Sequence, residues 1–141
     1  MDHPQVSIRV DRRERGKIIQ RLEDIGGVTL EVADLEFGDY ILPHEVAIER
    51  KSATDFILSV VDGGLWTNIE GLKCHFRRIL YLIEGDPYVA RFHQKALDVH
   101  RAFARMVMVH NITILPSADA DNSAMMIYLL ALTAQEQPPQ A

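Results

Sequence analysis

Between Gly38 and Asp55 the chain reads GDYILPHEVAIERKSATD, crowding carboxylates and bases around a short apolar segment. A β-strand sends successive side chains to opposite faces. Over VAIERK this puts Val46, Ile48 and Arg50 on one face and Ala47, Glu49 and Lys51 on the other, so Glu49 and Lys51 project together. The preceding YIL reads as a partner strand with Pro43 and His44 at or near the turn. That hairpin folds Asp39 back toward Glu49, ten positions away in the chain. Two carboxylates and a lysine then converge. Hard carboxylate oxygens hold Mg²⁺ or Mn²⁺, such an ion polarises a phosphoryl group and activates water, and a lysine orients that water or offsets developing charge. The chemistry this trio suits is phosphodiester hydrolysis. Each residue taken singly also has a structural reading: a tight Gly38-Asp39 turn, a surface Glu49, and Asp55 capping the next helix through the S-x-x-D of Ser52 to Asp55. For Asp55 the capping and chemical roles are compatible.

Together, Gly38-Asp39-Tyr40, Glu49-Arg50-Lys51-Ser52 and Asp55 resemble the GD…ERK-x-x-x-D signature of the XPF-type structure-specific endonucleases. The resemblance extends upstream to Val10-Asp11-Arg12-Arg13-Glu14 and downstream to Leu82-Ile83-Glu84-Gly85, covering about residues 6 to 135. It implies an α/β fold of the restriction-endonuclease-like kind, three layers with a mixed central sheet flanked by helices. It implies Asp39, Glu49 and Lys51 as metal-site and catalytic residues, with Asp11, Glu14, Arg50 and Asp55 supporting them and Asp11 joining Asp39 and Glu49 around Mg²⁺ or Mn²⁺. The implied substrate is branched DNA, a 3′ flap or fork, in repair or recombination. The pattern departs from the family after the first helix that follows the motif. Gly64 and Gly71 stand where arginines are common, and Asn68 stands where glutamine is common. That segment has lost positive charge and gained two residues that weaken helices.

The elements that must position these residues follow from the rest of the chain. At 141 residues the length suits one domain, with residues 1–135 read as the nuclease domain and the polar, Pro- and Gln-rich 136–141 as a tail or linker. The single cysteine, Cys74, excludes an internal disulfide and a cysteine-based zinc site; on a helix it reads as a buried or half-buried filler. The amino terminus lacks the basic and apolar segments of a secretory signal, and no run of about 18 apolar residues suggests a membrane span. An intracellular protein is expected, cytoplasmic or nuclear according to its source.

Residues 6 to 11 alternate as a strand that delivers Asp11 to the sheet rim; Asp11-x-x-Glu14 reads equally as a helix cap or as part of the metal site. A helix is expected from about Arg15 to Ile25, stopped by Gly26-Gly27. A second strand from Val28 to Leu35 leads to the hairpin, so that the sheet begins as a meander. Helices are expected over Ser52 to Val61 and Leu65 to Phe76, with Trp66 either stacking on a base or, the favoured reading, anchoring its helix. The nearly continuous apolar run Ile79 to Ile83 suits a buried parallel strand. The longest helical pattern runs from 88 to 109, and His93 and His100 on it lack the carboxylate neighbours of a metal site. Asn111 opens a final strand, ITIL. Ser117 to Asp121 caps a last helix whose Met125, Met126, Ile127, Tyr128, Leu129, Leu130 and Leu132 make nearly every face apolar. Such a helix must be covered, by the core or by a subunit interface; a homodimer or heterodimer through it is expected.

Net charge is −5 and the isoelectric point about 5.6, which opposes general attraction to nucleic acid. Phosphate contact then falls to a local patch, Arg12, Arg13, Arg15 and Lys17, beside the first carboxylate. The sequence reading is a metal-dependent DNA endonuclease; the alternative is a non-catalytic DNA-binding or scaffolding subunit paired with an active nuclease.

Overall fold

In the computed structural model, which describes residues 4–89 and 96–137, a six-stranded mixed sheet lies between two helical layers. Strand β1 (Val6–Asp11) is followed by helix α1 (Lys17–Ile25) and strand β2 (Val28–Ala33). Strands β3 (Tyr40–Leu42) and β4 (Val46–Ser52) form the expected hairpin, and helices α2 (Ala53–Asp62) and α3 (Gly64–His75) follow it. Strand β5 (Arg78–Glu84), helix α4 (Ala96–Met108), strand β6 (Thr113–Ser117) and helix α5 (Ala120–Glu136) complete the chain. The strand order is β2-β1-β3-β4-β5-β6. Only β3 runs against its neighbours; β1 with β2, β4 with β5 and β5 with β6 are parallel pairs.

Alternation along the strands divides the core. Val6, Ile8, Val10, Tyr40, Leu42, Val46, Ile48, Leu80 and Leu82 face α1 and α5, meeting Ile18, Leu22, Ala124, Ile127, Tyr128 and Ala131. Ile41, Ala47, Ile79, Tyr81 and Ile83 face the other layer, meeting Phe56, Leu65, Ile69, Leu72, Val99, Ala102 and Met106. The central strands are covered on both faces, which is why β5 reads as an unbroken apolar run and why its parallel pairing was legible.

Several expectations are corrected. The sheet does not begin as a meander: β1 and β2 are parallel, in register from Val6 with Val28 to Asp11 with Ala33, because α1 carries the chain back to the starting edge as a parallel pair requires. Helix α1 starts at Lys17, after Gly16 at φ 81°. The pattern read as one helix from 88 to 109 does not begin at Tyr88, whose N–H is captured by Asp86 Oδ1 at 2.8 Å in a turn; helix α4 runs Ala96–Met108, and His93 lies outside the described residues. His100 packs its ring 4.8 Å from that of Tyr88. Cys74 is exposed on α3, not a buried filler. Helix α5 reaches Glu136, one residue past the expected domain edge. Trp66 is an anchor: its ring lies 5.6 Å from that of His110, with the Arg105 guanidinium 5.4 Å from its centroid. Among the described residues no helix is long and apolar enough to cross a membrane.

Candidate active site

The carboxylate pair is built by strand register. Tyr40 pairs with Ile48 across the β3–β4 hairpin, so one rung further Asp39 stands opposite Glu49. Gly38, at φ 88°, supplies the left-handed turn that delivers Asp39 there. Two bonds fasten Asp39 to β4: its N–H donates to Ile48 O at 2.9 Å, and its Oδ2 accepts the Arg50 N–H at 2.8 Å. Glu49 and Lys51 share the face turned toward α2 and α3, as alternation requires, and both half-buried carboxylates feel the Lys51 ammonium.

The electrostatics are those of two like charges in a partly dehydrated place. Burial and then the Glu49 charge push the Asp39 carboxyl up to about 8, against the Arg50 N–H and Lys51. Glu49 is raised too, by burial, while Asn68, Lys51 and a hydrogen bond from Asp39 oppose the rise. Both carboxyls are therefore harder to ionise here than in water. Glu49 Oε2 is buried and has no hydrogen-bond partner, an acceptor that the protein itself leaves unsatisfied. Lys51 makes no hydrogen bond or ion pair within the described residues. A hard divalent cation fits this donor set, since two anionic oxygens groups and an orphaned lone pair are what it takes up.

Arg50 points to the opposite face. Its Nε and Nη2 donate to the Glu84 oxygens at 2.6 and 3.2 Å, and its Nη1 donates to Glu14 at 3.1 Å. Ser123 of α5 adds its hydroxyl to Glu84 Oε1 at 2.6 Å. Arg50 and Glu14 therefore tie the end of β4 to β5, α5 and the segment after β1, and they support the pair from beneath the sheet.

Asp11, expected as a third metal ligand, is hydrogen-bonded on both oxygens. Its Oδ1 accepts the Leu35 N–H at 3.0 Å, and its Oδ2 accepts Arg13 Nε at 2.7 Å and the Arg13 N–H at 3.3 Å. Burial alone would raise this carboxyl, but the bonds from Arg13 and Leu35 outweigh it and hold it below the usual range. Among the described residues no group of three His, Cys, Asp or Glu side chains gathers as a metal cage. Asp39 and Glu49 face each other on one rung, and Asp11 latches the loop beside them. Asp55 is exposed in the first turn of α2, where its N–H caps onto Ser52 Oγ at 3.1 Å.

Of the basic patch, Arg12 is bound to Asp34 at 2.9 Å on the surface and Arg13 to Asp11 at 2.7 Å, while Arg15 and Lys17 are exposed. Arg13 also lies in the field of Asp39 and Glu49. Gly71, where the resemblance led to an expected arginine, packs against Phe37: a Cβ there would lie 2.0 Å from the ring in its present place. Two participants escaped the sequence reading. Asn68 was visible only as a departure, and Tyr81 only as one more apolar letter in β5; yet Asn68 Nδ2 donates to the Tyr81 hydroxyl at 2.8 Å. Their signals were an amide on the inward stripe of Leu65, Ile69 and Leu72, and a phenol in a strand otherwise read as aliphatic.

Comparisons with known proteins agree with this fold. The ERCC4 domain model matches residues 10–130. The mouse DNA repair endonuclease XPF is 41% identical over 83 residues, covering 59% of this chain and 9% of that protein. The 3'-flap repair endonuclease Xpf of Saccharolobus solfataricus is 27% identical over 127 residues, covering 89% of this chain and 54% of its own length. The chain thus spans little more than half of the one relative and a small part of the other. The solved structure of XPF from Aeropyrum pernix in complex with DNA superposes with a TM-score of 0.87 at 26% identity, covering 97% of this chain and 68% of that one. The mixed sheet between helical layers is the restriction-endonuclease-like architecture of XPF nuclease domains. With the family model covering most of its length and Asp39 and Glu49 facing each other on the central β3–β4 hairpin, the chain belongs to the ERCC4 domain family as an XPF-type nuclease domain.

Proposed function

We propose that this domain is a metal-dependent DNA endonuclease that hydrolyses phosphodiesters in branched DNA, such as a 3′ flap or fork, during repair or recombination. The observation that carries this reading is the rung on which Asp39 and Glu49 face each other, with Glu49 Oε2 unpartnered and Lys51 on the same face. Asp39 and Glu49 would hold Mg²⁺ or Mn²⁺, which when bound supplies Lewis-acid polarisation of the phosphoryl group and a more acidic water. The chain's own groups do the rest. Lys51 places a positive charge where the phosphoryl oxygens gain negative charge. Arg50, held by Glu84 and Glu14, fixes the strand on which Glu49 and Lys51 stand. In hydrolysis the water oxygen bonds to phosphorus, one P–O ester bond breaks, and the departing oxygen takes up a proton.

DNA contact near the site falls to exposed Arg15 and Lys17 and to Arg12 and Arg13, whose charges are shared with Asp34 and Asp11. We further propose a dimer with a second copy or a related nuclease chain through α5 and the neighbouring edge strand β6, since Met125 and Leu129 remain 45% and 49% exposed on α5.

The test is cleavage of a panel of flaps, forks and linear duplexes in Mg²⁺ or Mn²⁺ by wild type, Asp39→Asn and Glu49→Gln. Wild type should cut branched substrates and both variants should be inactive yet folded. A wild type that binds DNA or a partner and cuts nothing would instead identify a scaffolding subunit.

A further inference from the structure

One part-buried polar pair beside the site is not used by the chemistry above. Tyr81 is fully buried in β5 and occupies the rung paired with Glu49. In parallel strands paired residues project to the same face, so its phenol lies alongside the Glu49 side chain under α3. Asn68 stands on α3 in the stripe formed by Leu65, Ile69 and Leu72, all buried, and its amide donates to the Tyr81 hydroxyl at 2.8 Å.

Leucine and phenylalanine would fill these two places at no polar cost. An asparagine in mid-helix is a poorer helix former, and the fully buried Tyr81 hydroxyl needs a partner, which the half-buried Asn68 amide supplies. The arrangement makes sense as a bracket for a third group. A phenol that accepts from Asn68 still has its own proton to donate, and the negative groups whose charge bears on Tyr81 are Glu49 and Asp39. Asn68 in turn favours the ionised form of Glu49.

We propose that Asn68 and Tyr81 are positioning residues that hold the Glu49 carboxylate turned toward Asp39, so that Oε2 stays free of protein donors and presented to the cation. The proposal rests on the reading of Asp39 and Glu49 as the cation-binding pair. It gives the segment after α2 a task other than gripping DNA: a short amide reaching the phenol through the packed stripe.

Calorimetric titration with Mn²⁺ alone, on the full chain, tests this without reference to turnover. Tyr81→Phe and Asn68→Leu should each weaken Mn²⁺ binding by roughly 10- to 100-fold, the range for removing a group that orients a metal ligand. Both variants should stay folded with midpoints lowered by a few degrees, because each swap keeps the side-chain shape but leaves its partner's polar group unpaired. Asn68→Gln, which keeps an amide, should recover part of the loss. In cleavage assays the first two variants should lower kcat with KM for DNA unchanged. Wild-type Mn²⁺ affinity in folded Tyr81→Phe and Asn68→Leu overturns the bracket while leaving the carboxylate pair standing; if Asn68→Leu does not fold, Tyr81→Phe decides alone. Absence of Mn²⁺ binding in wild type, or binding undiminished in Glu49→Gln, overturns the reading of the pair and the bracket with it.

Discussion

The backbone N–H of Arg50 donates to Asp39 Oδ2 at 2.8 Å, so the strand carrying Glu49 itself orients the carboxylate that faces it. Residue 39 precedes the first residue of β3, yet this bond and the one from its N–H to Ile48 O extend the hairpin by a rung. The pair is thus set by main-chain geometry, and substitutions that keep the shape of Asp39 or Glu49 should leave the fold intact while removing charge.

Lys51 separates binding from chemistry. An ammonium donates and cannot ligate a cation, so Lys51→Ala should keep Mn²⁺ affinity close to wild type while kcat falls by about 10²- to 10³-fold, the usual loss when one stabilising donor is removed. Calorimetry and single-turnover cleavage read the two quantities independently. Parallel loss of both would place Lys51 in cation binding and contradict its assigned role.

The carboxylate pair makes cation-free stability depend on pH with a defined sign. Asp39 titrates near 3.8 when unfolded and up to about 8 when folded, so between those values the folded state binds more protons and stability declines as pH rises. Below 3.8 both states are protonated and the penalty vanishes. Asp39→Asn keeps the acceptor for the Arg50 N–H and removes the titrating group. Its thermal midpoint should exceed that of wild type at pH 8 by several degrees and converge with it near pH 4. Mn²⁺ affinity of wild type should rise over the same interval, since binding displaces the proton. Identical midpoint profiles for the two proteins would contradict the raised Asp39.

Gly71 is held to glycine by Phe37, not by backbone conformation. A Cβ there meets ring atoms at 2.0 to 2.7 Å, so Gly71→Ala should destabilise by roughly 1–3 kcal/mol, the range for overpacking, although alanine is the better helix former. In a Phe37→Ala background the same change should be neutral or stabilising. Denaturant unfolding of the four proteins gives the coupling, and additive effects would show that the ring moves aside freely.

Leu129 tests the α5 surface. At 49% exposure it can accept a charge without unfolding the domain, so Leu129→Glu should convert a dimer to a folded monomer in light scattering at micromolar concentration. A monomeric wild type would remove the interface, and an unfolded variant would mean that Leu129 belongs to the core.

What the sequence determined by itself was whatever repeats locally. Alternation over VAIERK separated Glu49 and Lys51 from Arg50, glycine at 38 marked the turn before Asp39, and the unbroken apolar run of β5 marked a strand covered on both sides. These follow from strand geometry and residue shape, which need no distant partner. The tertiary structure decided whatever depended on which element lies beside which. It paired β1 with β2 across a helix and not through a meander, because parallel or antiparallel pairing is chosen by the packing of α1 and not by the strand letters. It bonded Asp11 to the Leu35 N–H, 24 residues along the chain, a contact that no local pattern announces. It packed the Phe37 ring against Gly71, and it set Asn68 and Tyr81 beside Glu49 from elements 19 and 32 residues away, distances over which no local pattern carries information.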